Sequence, residues 1–214
     1  MTAGCVAKPP STPVAKPSTS IVRADSIERH EREFTVRFRS TRCANAGVGS
    51  GIVVGQHEII TNRHVAAGSV KLEVNSWDGQ TYHVISVRIA DKADLALVTV
   101  QEALPVVAPI RTKQASKGSD VTIVGYPEGN QLRFVKGQLG DTVSGSEFQE
   151  PNPVEELSGQ VEPGNSGGPV LDKDGKVTGV VFAMVVATGR GLAINLDTLK
   201  QFLKDGGTPD HVTC

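Results

Sequence analysis

Pro163-Gly164-Asn165-Ser166-Gly167-Gly168-Pro169 is the stretch on which the reading of this chain turns. A serine hydroxyl is a poor nucleophile at neutral pH. It needs a base to take its proton and donors to hold the oxyanion that forms. Glycines on both sides of Ser166 let the backbone turn tightly and let a carbonyl group approach it. The amides of Gly164 and Ser166 can then aim at one point, as an oxyanion hole requires. Glycine and serine also dominate ordinary turns, so the stretch means little without partners elsewhere.

Two other segments supply them. In Thr61-Asn62-Arg63-His64-Val65-Ala66-Ala67, His64 is the candidate base, since imidazole titrates near neutrality. In Asp94-Leu95-Ala96-Leu97-Val98, an aspartate opens an apolar run. A carboxylate at the edge of a buried strand is costly unless it is paired or used. As the partner of His64, Asp94 would fix its tautomer and stabilise the imidazolium. Asp91 competes for that role but does not lead directly into the apolar run. His30, His57, His83 and His211 have polar or loop-like surroundings and read as bland.

Outward from these segments the pattern is all-β. Phe34 to Ser40 and Val70 to Val74 alternate apolar and polar residues, as half-buried strands do. Further strand candidates follow at Gly51–Val54, Glu58–Thr61, Tyr82–Ile89, Leu95–Val100, Val121–Gly125, Leu132–Leu139, Val154–Val161, Pro169–Leu171, Val177–Ala187 and Gly191–Ile194. Glycine, proline, asparagine and aspartate punctuate them, and Asp174-Gly175 signals a hairpin. Strands at this spacing build barrels or a sandwich. One helix is expected over Asn195–Lys204, with Leu196, Leu199 and Leu203 on one face, Asn195 as cap and Gly206-Gly207 as stop.

The 214 residues suit one domain, or one built from two similar halves. A net charge of -1 offers no basic excess for a phosphate backbone, so no nucleic-acid partner is expected. The longest apolar run, Val180 to Ala187, has eight residues, whereas a membrane span needs about 20. Residues 1–20 read as a separate tether, rich in proline, serine and threonine and without a core, and residues 21–214 as the folded domain. Cys5 follows Thr2-Ala3-Gly4, the small-small-Cys run that ends a bacterial lipoprotein signal, although the apolar stretch that should precede it is absent. Cys5 is thus either a lipidation site, the only expected link to a membrane, or a chance cysteine in a tail. The cysteine spacings match no zinc pattern, and no metal or cofactor is expected.

The order His64, Asp94, Ser166 is that of the chymotrypsin arrangement. The three segments resemble the signatures of trypsin-like serine proteases, and of the HtrA/DegP-like bacterial branch in particular. Gly49-Ser50-Gly51-Ile52-Val53-Val54, Gly125-Tyr126-Pro127-Glu128-Gly129 and Gly191-Leu192-Ala193-Ile194 resemble that branch at matching places, from about Val36 to Leu203. The resemblance implies two perpendicular six-stranded β-barrels and a short C-terminal helix. The triad His64, Asp94 and Ser166 would lie in the cleft between the barrels, with Gly164 and Ser166 as oxyanion hole. It implies an endopeptidase acting on extracytoplasmic proteins or peptides, a role in quality control or stress-related processing, and a secreted or envelope-anchored location. A latent peptide-binding or sensing module with an inhibited triad is the alternative.

Departures from the branch are visible. Too few residues follow the helix for a PDZ domain, so assembly through one is not carried over and a monomer is favoured. Asn165 stands where digestive enzymes pair an aspartate with a freed N-terminus, so zymogen activation by N-terminal cleavage is not implied. The resemblance places Gln160 at the base of the specificity pocket, with Phe182, Ala183 and Leu192 either as its walls or as core residues of the second barrel. That lining implies small or medium apolar side chains rather than arginine. Cys43 and Cys214 are placed like a pair in membrane-anchored mycobacterial acid-resistance proteases, which this chain also resembles. They are expected to form a disulfide from the C-terminal tail to the first barrel, with free thiols as the alternative.

Overall fold

The computed structural model describes residues 28, 30–185 and 189–211. The tether with Cys5, and Cys214, lie outside the described residues. The elements run β1 (Thr35–Thr41), β2 (Ala46–Gly55), β3 (Glu58–Thr61), α1 (Arg63–Ala66), β4 (Lys71–Asn75), β5 (Thr81–Tyr82), β6 (Val84–Ile89) and β7 (Ala96–Val100). They continue as β8 (Asp120–Gly125), β9 (Arg133–Val143), β10 (Val154–Gln160), β11 (Pro169–Leu171), β12 (Val177–Val185), β13 (Arg190–Asn195), α2 (Leu196–Asp205) and β14 (Thr208–Pro209).

The strands build two units. β8 to β13 close into a six-stranded barrel in the order β10-β13-β12-β11-β8-β9. The other unit is a curled eight-stranded sheet, β14-β6-β7-β3-β2-β1-β4-β5. It departs from a six-stranded barrel at both edges: short β5 adds to β4, placing Tyr82 opposite Val74, and the C-terminal tail returns as β14 on the β6 edge, pairing Thr208 with Ile89. The all-β character and single C-terminal helix match the sequence pattern.

Local chemistry explains the elements that frame the site. β1 alternates because Val36 and Phe38 bury one face while Arg37 and Arg39 point the other way. The Asp174-Gly175 turn joins β11 to β12 as expected, with Gly175 at φ 75° and Asp172 N–H donating to Lys176 O at 2.9 Å. α2 starts where Asn195 Oδ1 accepts from Thr198 N–H at 2.8 Å and stops at Gly206, at φ 72°. Leu196, Leu199 and Phe202 are its buried face.

One apolar cluster joins the units. Phe34, Phe38, Ile52, Ile60 and Leu95 of the first meet Val124, Leu171, Leu192 and Phe202. A smaller cluster of Ile123, Leu139, Leu157, Val170 and Val181 fills the closed barrel. Fully burying a side chain such as Phe38 contributes about 1.5–3 kcal/mol, so the shared cluster holds the two units together. No helix among the described residues is long and apolar enough to cross a membrane.

Candidate active site

His64 and Asp94 meet because of strand register. β3 pairs antiparallel with β7, and Thr61 lies opposite Ala96. The chain leaving β3 turns into α1 and carries His64, while Asp94 lies two residues before β7 begins at Ala96. Asp94 Oδ1 accepts from the His64 backbone N–H at 2.8 Å, and Oδ2 lies 2.5 Å from Nδ1. With Nδ1 engaged, Nε2 is the ring nitrogen left for other chemistry. Fully buried Asn62 donates from Nδ2 to the Asp94 carbonyl at 2.8 Å. Arg42 caps α1, donating to the carbonyls of His64 at 2.5 Å, Val65 at 2.8 Å and Ala67 at 3.1 Å. Asp91, the competing acid, accepts from Thr208 Oγ1 at 3.2 Å instead.

Ser166 lies in the loop between β10 and β11. Gly164 at φ 97° and Gly167 at φ 86° must be glycine: a Cβ there would strike the carbonyl oxygens of Tyr126 and Ser50 respectively. Glu128 N–H donates to the Pro163 carbonyl at 2.6 Å. Carbonyl and amide of one planar peptide point opposite ways, so this bond turns the Gly164 N–H away from Glu128. Asn165 N–H is taken by Glu162 O at 3.0 Å. The amides of Gly164 and Ser166 donate to nothing among the described residues. They are two free donors flanking an occupied one.

Ser50, a residue of β2 noted in the sequence only as part of a glycine-rich segment, holds this loop to the first unit. It is fully buried. Its N–H donates to the Ser166 carbonyl at 2.7 Å, and its hydroxyl donates to the Gly164 carbonyl at 2.7 Å. The same hydroxyl accepts from Tyr126 N–H at 2.9 Å, and the Ser50 carbonyl accepts from Thr61 Oγ1 at 2.7 Å. Nothing in the periodicity of β2 distinguishes this hydroxyl from any other serine on a strand.

A cavity of about 470 Å³ opens beside His64. Arg42, Arg63, Lys92, Asp94, Phe148 and Phe182 are among its lining. Phe182 occupies a bulge: Val181 pairs with Ala193 and Ala183 with Leu192, leaving Phe182 as the extra residue on β12. The bulge frees its carbonyl, which accepts from Ser166 Oγ at 3.4 Å. Among the described residues no hydrogen bond joins Ser166 Oγ to His64. Of the expected pocket residues, Phe182 therefore sits beside His64, Ala183 is half-buried opposite Leu192, Leu192 is buried in the shared core, and Gln160 is exposed at the end of β10. No metal-binding cluster of histidine, cysteine and carboxylates occurs among the described residues.

Residues 49–180 match the trypsin-like peptidase domain. The chain belongs to that family. It is homologous to HtrA-family serine proteases. Serine protease Rv3671c of Mycobacterium tuberculosis is 29% identical over 185 residues, which cover 83% of this chain and 46% of that protein. The putative serine protease HhoA of Synechocystis is 37% identical over 195 residues, 84% of this chain and 48% of that protein. The chain thus spans about half the length of the curated relatives it matches. The crystal structure of the active form of Rv3671c protease superposes with a TM-score of 0.76 at 25% identity, over 100% of this chain and 97% of that one.

Proposed function

We propose that this trypsin-like peptidase domain is a serine endopeptidase working through an acyl-enzyme. Ser166 Oγ attacks the scissile carbonyl carbon while His64 Nε2 takes its proton. Asp94 orients the ring and stabilises the imidazolium. The amides of Gly164 and Ser166 receive the oxyanion. His64 then protonates the leaving amine as the C–N bond breaks, and water activated by the same ring hydrolyses the ester. The observation that carries this reading is the double engagement of His64 by Asp94, beside a loop with two unpartnered amides. A fluorophosphonate probe should label the parent protein on Ser166 and leave Ser166→Ala unlabelled. A folded parent that takes no label sinks the reading.

The hydroxyl parked on Phe182 O supports a second reading, a latent or regulated sensor whose serine must rotate toward His64 before it can react. Labelling that appears only after peptide is added would favour it.

The substrates we infer are extracytoplasmic proteins, cut in quality control or stress-related processing by a monomer in the bacterial cell envelope. Cleavage after Val, Ala or Leu is expected to exceed cleavage after Arg, because Gln160 brings no negative charge to the pocket base. Fluorogenic peptides that rank the other way refute this. Cys5 is proposed as the lipid anchor, on the small-small-Cys run before a proline-rich segment. Mass spectrometry of the protein from its native membrane fraction tests it. A Cys43–Cys214 disulfide is proposed on the path of the tail, which passes close to the turn that carries Cys43: Asp210 Oδ2 accepts from Gly68 N–H at 2.8 Å, next to the Ala67 carbonyl that Arg42 binds at 3.1 Å. Three free thiols in denaturant without reductant would exclude it.

A further inference from the structure

Glu150 is fully buried, in the loop between β9 and β10, and has no part in the chemistry proposed for Ser166. An ionised carboxylate taken out of water is costly unless every oxygen is paired. No lysine, arginine or histidine pairs with this one among the described residues. Its partners are neutral N–H groups. Oε2 accepts from the backbone N–H of Asp94 at 2.7 Å. Oε1 accepts from the N–H of Asn152 at 3.0 Å and from its Nδ2 at 2.7 Å. Asn152 Nδ2 also donates to the Lys92 carbonyl at 2.5 Å, so the same cluster holds the chain on both sides of Ala93.

Asp94 lies in a run of bends outside any strand, where the one backbone bond among the described residues that closes the segment is Ala90 N–H to Leu95 O at 3.0 Å. Three groups fix it from three directions: His64 on the carboxylate, Asn62 on the carbonyl and Glu150 on the amide. Glu150 alone comes from the closed barrel. Phe148, Gln149 and Pro151 beside it form a wall of the cavity at His64.

We propose that Glu150 is a positioning residue for the triad acid: it accepts the Asp94 amide across the two units and so sets the carboxylate that orients His64. This rests on the triad reading of His64, Asp94 and Ser166. A displacement of order 1 Å at such a group costs about 100-fold in rate.

The test uses two variants that fill the same buried volume. Glu150→Gln keeps a carbonyl oxygen for the Asp94 amide, whereas Glu150→Met has no acceptor. Each is measured as kcat per active site titrated with a fluorophosphonate, so that loss of folded protein is not counted as loss of rate. The far-downfield proton of the His64–Asp94 hydrogen bond is followed by NMR in the same samples. Glu150→Met should lose about 10- to 100-fold in kcat per titrated site and shift or lose the downfield proton. Glu150→Gln should retain the proton and stay within about fivefold of the parent, a margin well inside the loss expected for a displaced acid. The proposal is overturned if Glu150→Met matches the parent in both readouts, or if the two variants are equally impaired. A parent that titrates no active site would instead count against the triad, and the NMR arm would still report on Glu150.

Discussion

Among the described residues the same histidine–carboxylate geometry occurs twice. At His64, one oxygen of Asp94 accepts the backbone amide at 2.8 Å and the other lies 2.5 Å from Nδ1. At His83, the oxygens of Glu102 do the same at 2.7 Å and 2.5 Å. Surroundings separate them. The Asp94 side chain is 15% exposed and that of Glu102 30%; the rings are 49% and 73% exposed. The His64 pair borders a cavity that the Ser166 loop reaches through Phe182, and Asp94 is braced on its backbone by Asn62 and Glu150. The His83 pair faces solvent at the β5–β6 turn. A histidine held by a carboxylate is therefore a common local solution for a free amide and a ring nitrogen. Reactivity comes from what is fastened beside it.

The sharpest way to break this comparison is to delete each ring. His64→Ala or Ser166→Ala should lower kcat roughly 10⁶-fold, as removing one member of a cooperating triad does. His83→Ala should leave peptide hydrolysis within twofold of the parent, about the spread expected for a surface change. Comparable losses at both histidines would erase the distinction between them. Next come the acids. Asp94→Asn keeps the shape but presents an amide to Nδ1, and kcat should fall about 10⁴-fold. Glu102→Gln makes the same change on the solvent-exposed pair, and a steady-state assay should register no difference.

The support of the nucleophile loop sharpens the same point. Ser50→Ala removes one hydroxyl that donates to the Gly164 carbonyl and accepts from Tyr126 N–H, leaving two buried groups short of a partner. Stability should fall by about 1–3 kcal/mol in urea denaturation. In the proposed mechanism Gly164 supplies half of the oxyanion hole, so kcat should fall by about 100-fold, close to the effect of losing one oxyanion donor. A loss confined to KM would place Ser50 in substrate binding instead.

Much of this is legible in the sequence because it is local. The glycine pattern around Ser166, the cap at Asn195 and the Asp174-Gly175 hairpin are each written in a few adjacent residues, and each forms as its residues imply. The preference for Asp94 over Asp91 also follows from a local cue, the apolar run that places Asp94 beside a buried strand end. The braces are not legible, since they are contacts across long stretches of chain. Ser50 reaches a loop 114 residues away and Glu150 an amide 56 residues away. In a strand or a loop, neither residue type announces a partner. The resemblance makes Phe182 a pocket wall and its apolar run makes it a core residue, but an extra residue in register with β13 turns it to His64, and a bulge has no signature there. The duplicate pair at His83 escapes the sequence for the opposite reason: its polar, loop-like setting reads as bland, and the geometry arises from Glu102 on another turn.

Glu31 completes the comparison, as a carboxyl with no histidine to hold it. It lies beneath the hairpin at Gly175, 4% exposed, and no hydrogen bond reaches its carboxyl among the described residues. Burial is the largest cause pushing its pKa up to about 7; Lys136 opposes the rise, and the charges of Glu28 and Asp172 add to it. The sign follows from which state holds the proton more tightly. The folded protein does, so stability is greatest below the ordinary glutamate value near 4.5 and falls as the pH rises from there to about 7. At about 1.4 kcal/mol per tenfold change in proton affinity, the rise from 4.5 to about 7 corresponds to about 3.4 kcal/mol, and solvent screening of a partly solvated carboxyl brings the cost of the ionised group above that range to about 2–3 kcal/mol. Glu31→Gln removes the titration. The variant should be more stable than the parent at pH 8 by roughly that amount and nearly equal to it at pH 4.5, with peptide hydrolysis unchanged. A stability difference that stays constant between the two pH values would mean that Glu31 is ionised throughout, paired in the folded state after all. Asp94, Glu102 and Glu31 thus give three outcomes for one functional group. In the proposed mechanism an acid braced and given a histidine beside a nucleophile serves chemistry, one given only a histidine serves a turn, and one given neither makes the fold sensitive to pH.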